Sequence, residues 1–405
     1  MRVVLTANGP GEVAGWVCPL LHHVYEQAPE TDVHVFMVPD DYATGREAEV
    51  VRDRFARAHV YDPKRYLAVA FGRRVEGVPS GADVVQYLGG DLMHAVRLHR
   101  RFGGAASTYK FSRSRYGRLF DRAFAVDDQN AARLRAWGTP PERIEIVGNL
   151  AVDGAIMQAF EEPEPQAPRD GVLVMPGSRR HEIEHLVPFF FTMALRMLRE
   201  RPDLPIAMGV SPFTTDEQLR LAVERGGDPR VFATRGRLIV ADDGRTALAP
   251  SDGDARIPVL RRPLAAARHA RLAVTLPGTK CIELAAIGVP TIAITPLNAA
   301  ELATFNGPLT YLDRIPGIGR PLKRAAAVAV SRRHRFHTQP NIDLGEMVMR
   351  ELHGTLTPGR VARVALDSLE DRAWLEESAA RLRALYAGHA GAARRMAESL
   401  LRLGS

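Results

Sequence analysis

Cysteine is nearly absent: Cys18 and Cys281 are the two thiols in a chain of 405 residues, far apart and without metal-ligand spacing. That excludes a disulfide framework and suits a reducing compartment. Long apolar runs are missing too. No stretch reaches the roughly 18 uninterrupted apolar residues of a membrane span. The longest candidate, LVPFFFTMAL at 186–195, reads as a buried helix. The N-terminal MRVVLTANG carries one arginine and a short strand-like run, without the apolar core of a secretory leader. No cluster of histidine, cysteine and carboxylate has metal spacing, so no metal is expected. The basic SRRHRFHTQ at 331–339 has no RNA- or DNA-binding signature around it, so no nucleic acid is expected either. These absences point to a soluble protein of the cytoplasm.

What is present is ordinary for a globular chain: 46% hydrophobic and 25% charged residues, with a formal net charge of +7. Arginine clusters at 97–101, 113–122, 332–335 and 394–395. Each cluster alone reads as a solvated helix face; with neighbouring apolar residues they would suit an anionic membrane surface.

Short β-type runs alternate with amphipathic stretches almost throughout. In the first half strands are expected at 2–7, 33–39, 83–88, 122–126 and 144–147. A proline-rich, acidic EEPEPQAPRD at 161–170 then reads as a linker. The rhythm restarts with strands at 171–175, 205–210, 272–276 and 290–295. Thr214 and Glu217 have the form of a capping box, and 237–250 reads as a hairpin around a D-G turn. The class is therefore α/β, two Rossmann-like doubly wound domains with an interdomain cleft. The boundaries are 1–160 for an N-terminal acceptor-side domain, 161–170 for the linker and 171–375 for a nucleotide-sugar domain. C-terminal helices at 376–405 are expected to pack back on the first domain.

Four stretches carry chemistry. In VLVMPGSRRHEIEHLVPFF (172–190) a strand meets Gly177-Ser178-Arg179 and a helix begins at once. Free amides and a planar guanidinium there suit a phosphate, although a plain Pro-Gly turn would look the same. LAVTLPGTKCIELAAIGVPTIAI (272–294) repeats the arrangement with Gly278, Thr279 and, one turn into the helix, Glu283. That acid could take two ribose hydroxyls or simply answer the helix dipole. In DVVQYLGGDLMHAVRLHRRFG (83–103), Asp91 heads a helix as an N-cap or as a general base toward a hydroxyl. The helix behind it carries Arg97, Arg100 and Arg101. SDGDAR at 251–256 holds an Asp-x-Asp, but without an apolar strand leading in, it reads as a surface turn.

These residues resemble the lipid-A-disaccharide synthase family, inverting glycosyltransferases of the two-Rossmann GT-B architecture. MPGSRRHEIEHLVPFF is similar to the family's L-P-G-S-R-x-x-E-[IV]-x-x-L-x-P-x-F. LPGTKCIELAAIGVP is similar to S-G-T-x-x-L-E-x-x-L-x-x-x-P. QPNIDLGEMVMRELHGTLTP is similar to its L-P-N-[IL] motif, and GPGEVAGW (9–16) resembles G-E-x-S-G-D. The resemblance implies that Gly177, Ser178 and Arg179 contact the UDP pyrophosphate, with Gly278, Thr279 and Glu283 in the nucleotide site and Asn341 on the donor side. It implies Asp91 as catalytic base and sets Glu12, with Gly11 and Trp16, toward the acceptor. Glu12 is either a second carboxylate at the reaction centre or a helix N-terminal acid. Arg97, Arg100 and Arg101 would face acceptor or membrane.

The implied reaction moves a 2,3-diacylglucosamine from UDP to 2,3-diacylglucosamine 1-phosphate, forming a β-linked disaccharide of lipid A biosynthesis. It needs no cofactor beyond the UDP-sugar. The implied partners are a nucleotide-sugar donor, a lipid-linked acceptor and the anionic inner face of the membrane, with a homodimer left open. Departures fall mostly in the acceptor half. Trp16 stands where the family has aspartate, STYKFSRSRYGRLF (107–120) replaces S-P-x-x-W-A-W, and Arg350 replaces a proline. A changed acceptor would explain them. Two other readings keep the architecture. Residues 121–153 resemble 3-deoxy-manno-octulosonic acid transferases, which use a CMP-sugar, and a UDP-sugar 2-epimerase would need no acceptor. A catalytically silent scaffold is the third.

Overall fold

The computed structural model describes residues 1–40, 43–110, 116–160, 164, 166–298, 300 and 319–405. Residues 161–163 and 165 of the linker stretch, and Arg113 and Arg115 of the second arginine cluster, lie outside them. Two units emerge: Met1–Met157 with Ala387–Ser405, and Gln158–Tyr386.

The first unit is built on seven parallel strands: β1 (Arg2–Ala7), β2 (Asp32–Met37), β3 (His59–Tyr61), β4 (Val84–Tyr87), β5 (Ala105–Tyr109), β6 (Arg122–Ala125) and β7 (Ile144–Ile146). Their order is β3-β2-β1-β4-β5-β6-β7. β1 is buried along five of its six residues. A strand covered on both faces by helices reads as an unbroken apolar run rather than an alternation. The chain leaves β1 toward β2 and β3, then returns to the other side of β1 as β4. That reversal opens a crevice at the carboxyl ends of β1 and β4. Phe36, Tyr61, Tyr66, Leu98 and Phe102 fill the core on one side of the sheet.

The C-terminal helix Ala392–Leu403 belongs to this unit. Asp153 takes hydrogen bonds from Gly391 N (2.7 Å) and Ala393 N (2.5 Å), capping the helix from the side. Arg395 Nε reaches Val147 O at 2.8 Å, and Ser399 Oγ reaches Glu145 at 2.7 Å.

The second unit carries eight strands: β8 (Val172–Met175), β9 (Ile206–Gly209), β10 (Gly236–Val240), β11 (Thr246–Pro250), β12 (Ile257–Leu260), β13 (Leu272–Thr275), β14 (Thr291–Pro296) and β15 (Arg350–Gly354). The order is β10-β11-β12-β9-β8-β13-β14-β15. β10 and β11 form the antiparallel hairpin, with Val240 opposite Thr246. The others run parallel except where β11 meets β12. Again the chain reverses about one strand, β8, which lies between β9 and β13. The helix Arg180–Glu200 buries Phe189, Phe190 and Phe191 against Val174, Met208 and Val274. The apolar run at 186–195 is thus core. Among the described residues no helix is long and apolar enough to cross a membrane.

Four strands escape a reading by hydrophobic runs: β3, β5, β12 and β15. β5 is AASTY and β15 is RELHG, sequences of weak β-propensity held by their neighbours in the sheet. The capping box also shifts by one residue. The cap is Thr215, whose Oγ1 accepts from Gln218 N while Gln218 Oε1 accepts from Thr215 N at 2.9 Å. Thr214 is buried instead.

Candidate functional site

Each unit places its chemistry at its own reversal point. In the second unit the two Pro-Gly turns, about a hundred residues apart in sequence, become neighbours because Thr275 pairs with Met175. Thr275 Oγ1 donates to Met175 O at 3.0 Å, tying the two strand ends together.

The turns differ in what they leave open. The first is closed by its own helix: Glu182 Oε2 accepts from Ser178 N at 2.9 Å and Arg179 N at 3.0 Å. The amides expected to hold pyrophosphate at Ser178 and Arg179 therefore already hold a carboxylate. The Arg179 side chain remains exposed, its Nη1 3.9 Å from Glu182 Oε1. The second turn is open. Among the described residues, Gly278, at φ +150°, has no heavy atom within 4 Å of a built β-carbon, and no side chain caps the helix Thr279–Ala286 behind it. Only glycine takes that backbone without strain, and it leaves the first-turn amides uncovered.

His181 is held below the ordinary imidazole value by burial foremost; Glu182 works against this, and the charges of Arg179, His185 and Lys323 add to it. Lys280 Nζ lies 2.7 Å from Glu283 Oε2, and the Glu283 side chain is buried. Cys281 is fully buried, and burial pushes its thiol up to about 12.

Asn341 does not face a ligand. It is fully buried, and its amide is consumed: Oδ1 accepts from Val348 N (2.9 Å) and Met349 N (2.8 Å), while Nδ2 donates to Met349 O (2.9 Å) and Glu351 Oε1 (2.7 Å). Two donors and two acceptors exhaust the group. Asn341 is therefore a positioning residue here, correcting its expected place among direct donor contacts. Glu351 completes the knot by accepting from His337 N, Thr338 N and Thr338 Oγ1. Burial works to raise its carboxyl, yet these donors hold it below the ordinary carboxylate range. Arg350, the departure from proline, ties β15 to Ser368 and Asp371 and lies 4.0 Å over the Trp374 ring.

In the first unit, acids gather instead. Glu12 follows β1 in the turn Pro10–Glu12, which runs into a π-helical turn, Val13–Val17. A β-carbon built on Gly9 would lie 3.0 Å from Glu12 Oε2 and 2.9 Å from Asp40 Oδ2, so both carboxylates close over one glycine. Asp40, at the end of β2, carries no motif and is invisible to sequence reasoning. Gly11 faces open space. Asp91 caps the helix Leu92–Phe102, accepting from Met93 N at 2.8 Å, and stays exposed. The Tyr87 hydroxyl, bonded to Gly90 O at 2.7 Å, is pushed up by burial and then by the charges of Glu12 and Asp91.

The structure does not gather every expected residue. The helix Leu92–Phe102 starts at Asp91 and runs away from the strands' carboxyl ends. Arg100 and Arg101 therefore sit roughly 14 Å along its axis from the cap. Arg97 lies midway, 5.7 Å over the Phe71 ring, and Phe71 is 72% exposed. Trp16 packs edge-on against Tyr109 with centroids 5.5 Å apart, under Lys110 Nζ at 5.7 Å. Its visible contacts are packing contacts. The first unit also gathers metal-ligating side chains where the sequence has no metal spacing: His22, His23 and Glu26 on one helix, and Asp32, His34 and His59 across two strands.

No protein-family profile matches the chain. It resembles curated lipid-A-disaccharide synthases. It is 33% identical to that of Ruegeria pomeroyi over 127 residues, 31% of this chain and 27% of the relative. To that of Rhodopseudomonas palustris it is 28% identical over 214 residues, 52% of this chain and 42% of the relative. The matches thus span less than half the length of these relatives. Among solved structures, a UDP-N-acetylglucosamine 2-epimerase from Listeria monocytogenes aligns at TM-score 0.56 and 14% identity over 98% of this chain and 94% of that one. The S. aureus MnaA–UDP co-structure aligns at TM-score 0.57 and 13% identity over 99% and 97%. These likenesses give the fold, the two Rossmann-like units of GT-B proteins.

Proposed function

We propose that the chain is a UDP-sugar-dependent glycosyltransferase that moves an acylated glucosamine-type sugar to a hydroxyl of a glycolipid, as the synthases it resembles are named for doing. The observation that carries this reading is the division of charge between the two reversal points. One offers uncovered helix amides among Arg179, Lys280 and Lys323; the other offers Glu12, Asp40 and Asp91. The first suits a diphosphate, the second a hydroxyl that must lose a proton.

In this reading the pyrophosphate sits on the Thr279 and Lys280 amides, with Arg179 pairing its oxygens. Glu283 accepts the ribose hydroxyls as Lys280 turns toward phosphate. Asp91 is the base that takes the proton of the acceptor hydroxyl. Arg179 and Lys280 stand where the leaving charge grows. No cofactor beyond the donor is asked for. The exposed Phe71 and Leu67 beside Arg97 support a lipid acceptor presented at an anionic surface.

The Glu182 carboxylate on the first turn makes a sharper prediction. Glu182→Ala frees two amides and removes a negative charge from the donor site, so UDP binding by calorimetry tightens by about tenfold, roughly 1.4 kcal/mol. The helix loses a cap and about 1 kcal/mol of stability. Weaker UDP binding would mean instead that Glu182 holds the turn in its binding shape.

The reading is tested by incubating the chain with UDP-2,3-diacylglucosamine and 2,3-diacylglucosamine 1-phosphate in anionic vesicles. UDP release matched by a β-linked disaccharide is expected. Conversion of UDP-N-acetylglucosamine without any acceptor favours the second reading, an epimerase, the activity named for the solved neighbours. No turnover of either kind removes both.

A further inference from the structure

We propose that Asp32, His34 and His59 form a binding site for a divalent transition metal at the amino edge of the first sheet. The site lies at the opposite end of this sheet from the first unit's crevice, and it is independent of the function proposed above.

Strand geometry brings the three together. Asp32 and His34 are two apart on β2 and share one face. His59 opens β3 and is the register partner of His34. The two imidazoles stack with centroids 4.7 Å apart and planes 14° from parallel, so the exposed His59 ring would turn out of the stack to bring its Nε2 lone pair onto an ion shared with His34. Asp32 Oδ1 lies 2.9 Å from His34 Nε2 and 3.6 Å from His59 Nε2. All three ligand atoms fall within 4.8 Å of one another. A tetrahedral zinc ion with ligands at about 2.0–2.2 Å spaces them about 3.3 Å apart. The two measured separations straddle that value.

Hydrogen bonding fixes which atoms point inward. Tyr61 OH donates to Gly77 O, so toward His34 that hydroxyl serves as acceptor, and His34 Nδ1, 2.9 Å away, carries the proton. Nε2 of the neutral ring is then a bare lone pair. It is buried, the side chain being 4% exposed, and Asp32 Oδ1 faces it at 2.9 Å. In that tautomer two acceptors meet, and a metal ion between them would satisfy both.

The surroundings are those of an oriented ligand set. Arg2 Nε donates to Asp32 Oδ2 at 2.7 Å, turning the carboxylate so that Oδ1 is the atom left for the ion. The Tyr61 hydroxyl does the same for His34. Such outer partners set tautomer and direction at metal-bound histidines. His59 is 56% exposed along its side chain, which gives an ion a path in and leaves a fourth position to water. Two imidazoles and one carboxylate favour Zn²⁺, Co²⁺ or Ni²⁺ over Mg²⁺ or Ca²⁺. The bound ion would clip the three-residue edge strand β3 to β2.

The experiment uses the untagged full chain, stripped with chelator and titrated with Zn²⁺ against a chromogenic competitor, then with Co²⁺ for the visible band of a tetrahedral site. One ion per chain is expected. His59→Ala, at an exposed position that spares the fold, and His34→Gln should each weaken binding by at least about tenfold. Zn²⁺ should raise the melting temperature of the parent chain and not of His59→Ala. His23→Ala should leave the affinity unchanged. Absence of stoichiometric binding overturns the proposal, as does binding that survives His59→Ala or disappears with His23→Ala.

Discussion

Asp91→Asn should lower sugar transfer by about 10²–10⁴-fold, the span general acid–base catalysis commands, while melting temperature and UDP affinity stay where they are. The substitution separates two jobs held by one carboxylate. Asp91 caps the helix Leu92–Phe102 through Met93 N, and asparagine caps as well as aspartate does. The amide cannot take a proton from a hydroxyl. Stability is therefore preserved and only proton transfer is lost. Asp91→Ala adds the cap loss, about 1 kcal/mol, and so calibrates how much of any defect is structural. The measurements are kcat/KM with saturating donor, UDP binding by calorimetry and a thermal melt. Full activity in Asp91→Asn would leave Asp91 a cap alone and move the base to Glu12 or Asp40, whose carboxylates close over Gly9.

Both Pro-Gly turns were legible in the sequence because strand ends followed by Pro-Gly-[Ser/Thr] and a helix announce themselves locally. Their adjacency was not, since it depends on the pairing of β8 with β13. Nor was the difference between them. Glu182 looks like any acid one turn into a helix, and only the folded turn shows it on the Ser178 and Arg179 amides. Asp40 and the Asp32–His34–His59 group were hidden for the same reason. A Asp-x-His pair is a faint local cue, and its third member arrives through the register of β2 with β3. Asn341 was read from a motif as a donor contact. The motif instead spells out a buried knot, whose partners at 348–351 lie within the same quoted stretch.

That knot sets the largest stability prediction. Glu351→Ala should cost about 3–5 kcal/mol, the scale of removing one side of a buried charged network. In a domain stable by about 5–15 kcal/mol, such a loss leaves little folded margin at elevated temperature. The carboxylate is 4% exposed and accepts from His337 N (2.8 Å), Thr338 N (2.9 Å), Thr338 Oγ1 (2.7 Å) and Asn341 Nδ2 (2.7 Å). Alanine would strand these donors, each worth about 1–3 kcal/mol when left unpaired and buried. Glu351→Gln should fall between, because it keeps one acceptor but turns an amide toward the His337 donor.

The pH dependence has a definite sign. Folding lowers this carboxyl below its ordinary value, so its contribution is fully present above the unfolded carboxylate range, near about 4.3. It is lost as pH falls through the lowered folded value. Urea titrations at neutral pH and at successively lower pH should therefore show the parent losing its advantage over Glu351→Gln on the acid side. If Glu351→Ala instead unfolds within about 1 kcal/mol of the parent and loses UDP binding, the motif acts on the ligand and not on the fold. The helix Gln339–Leu344 would then have to open in the bound state, releasing Asn341 from the four bonds that occupy it here.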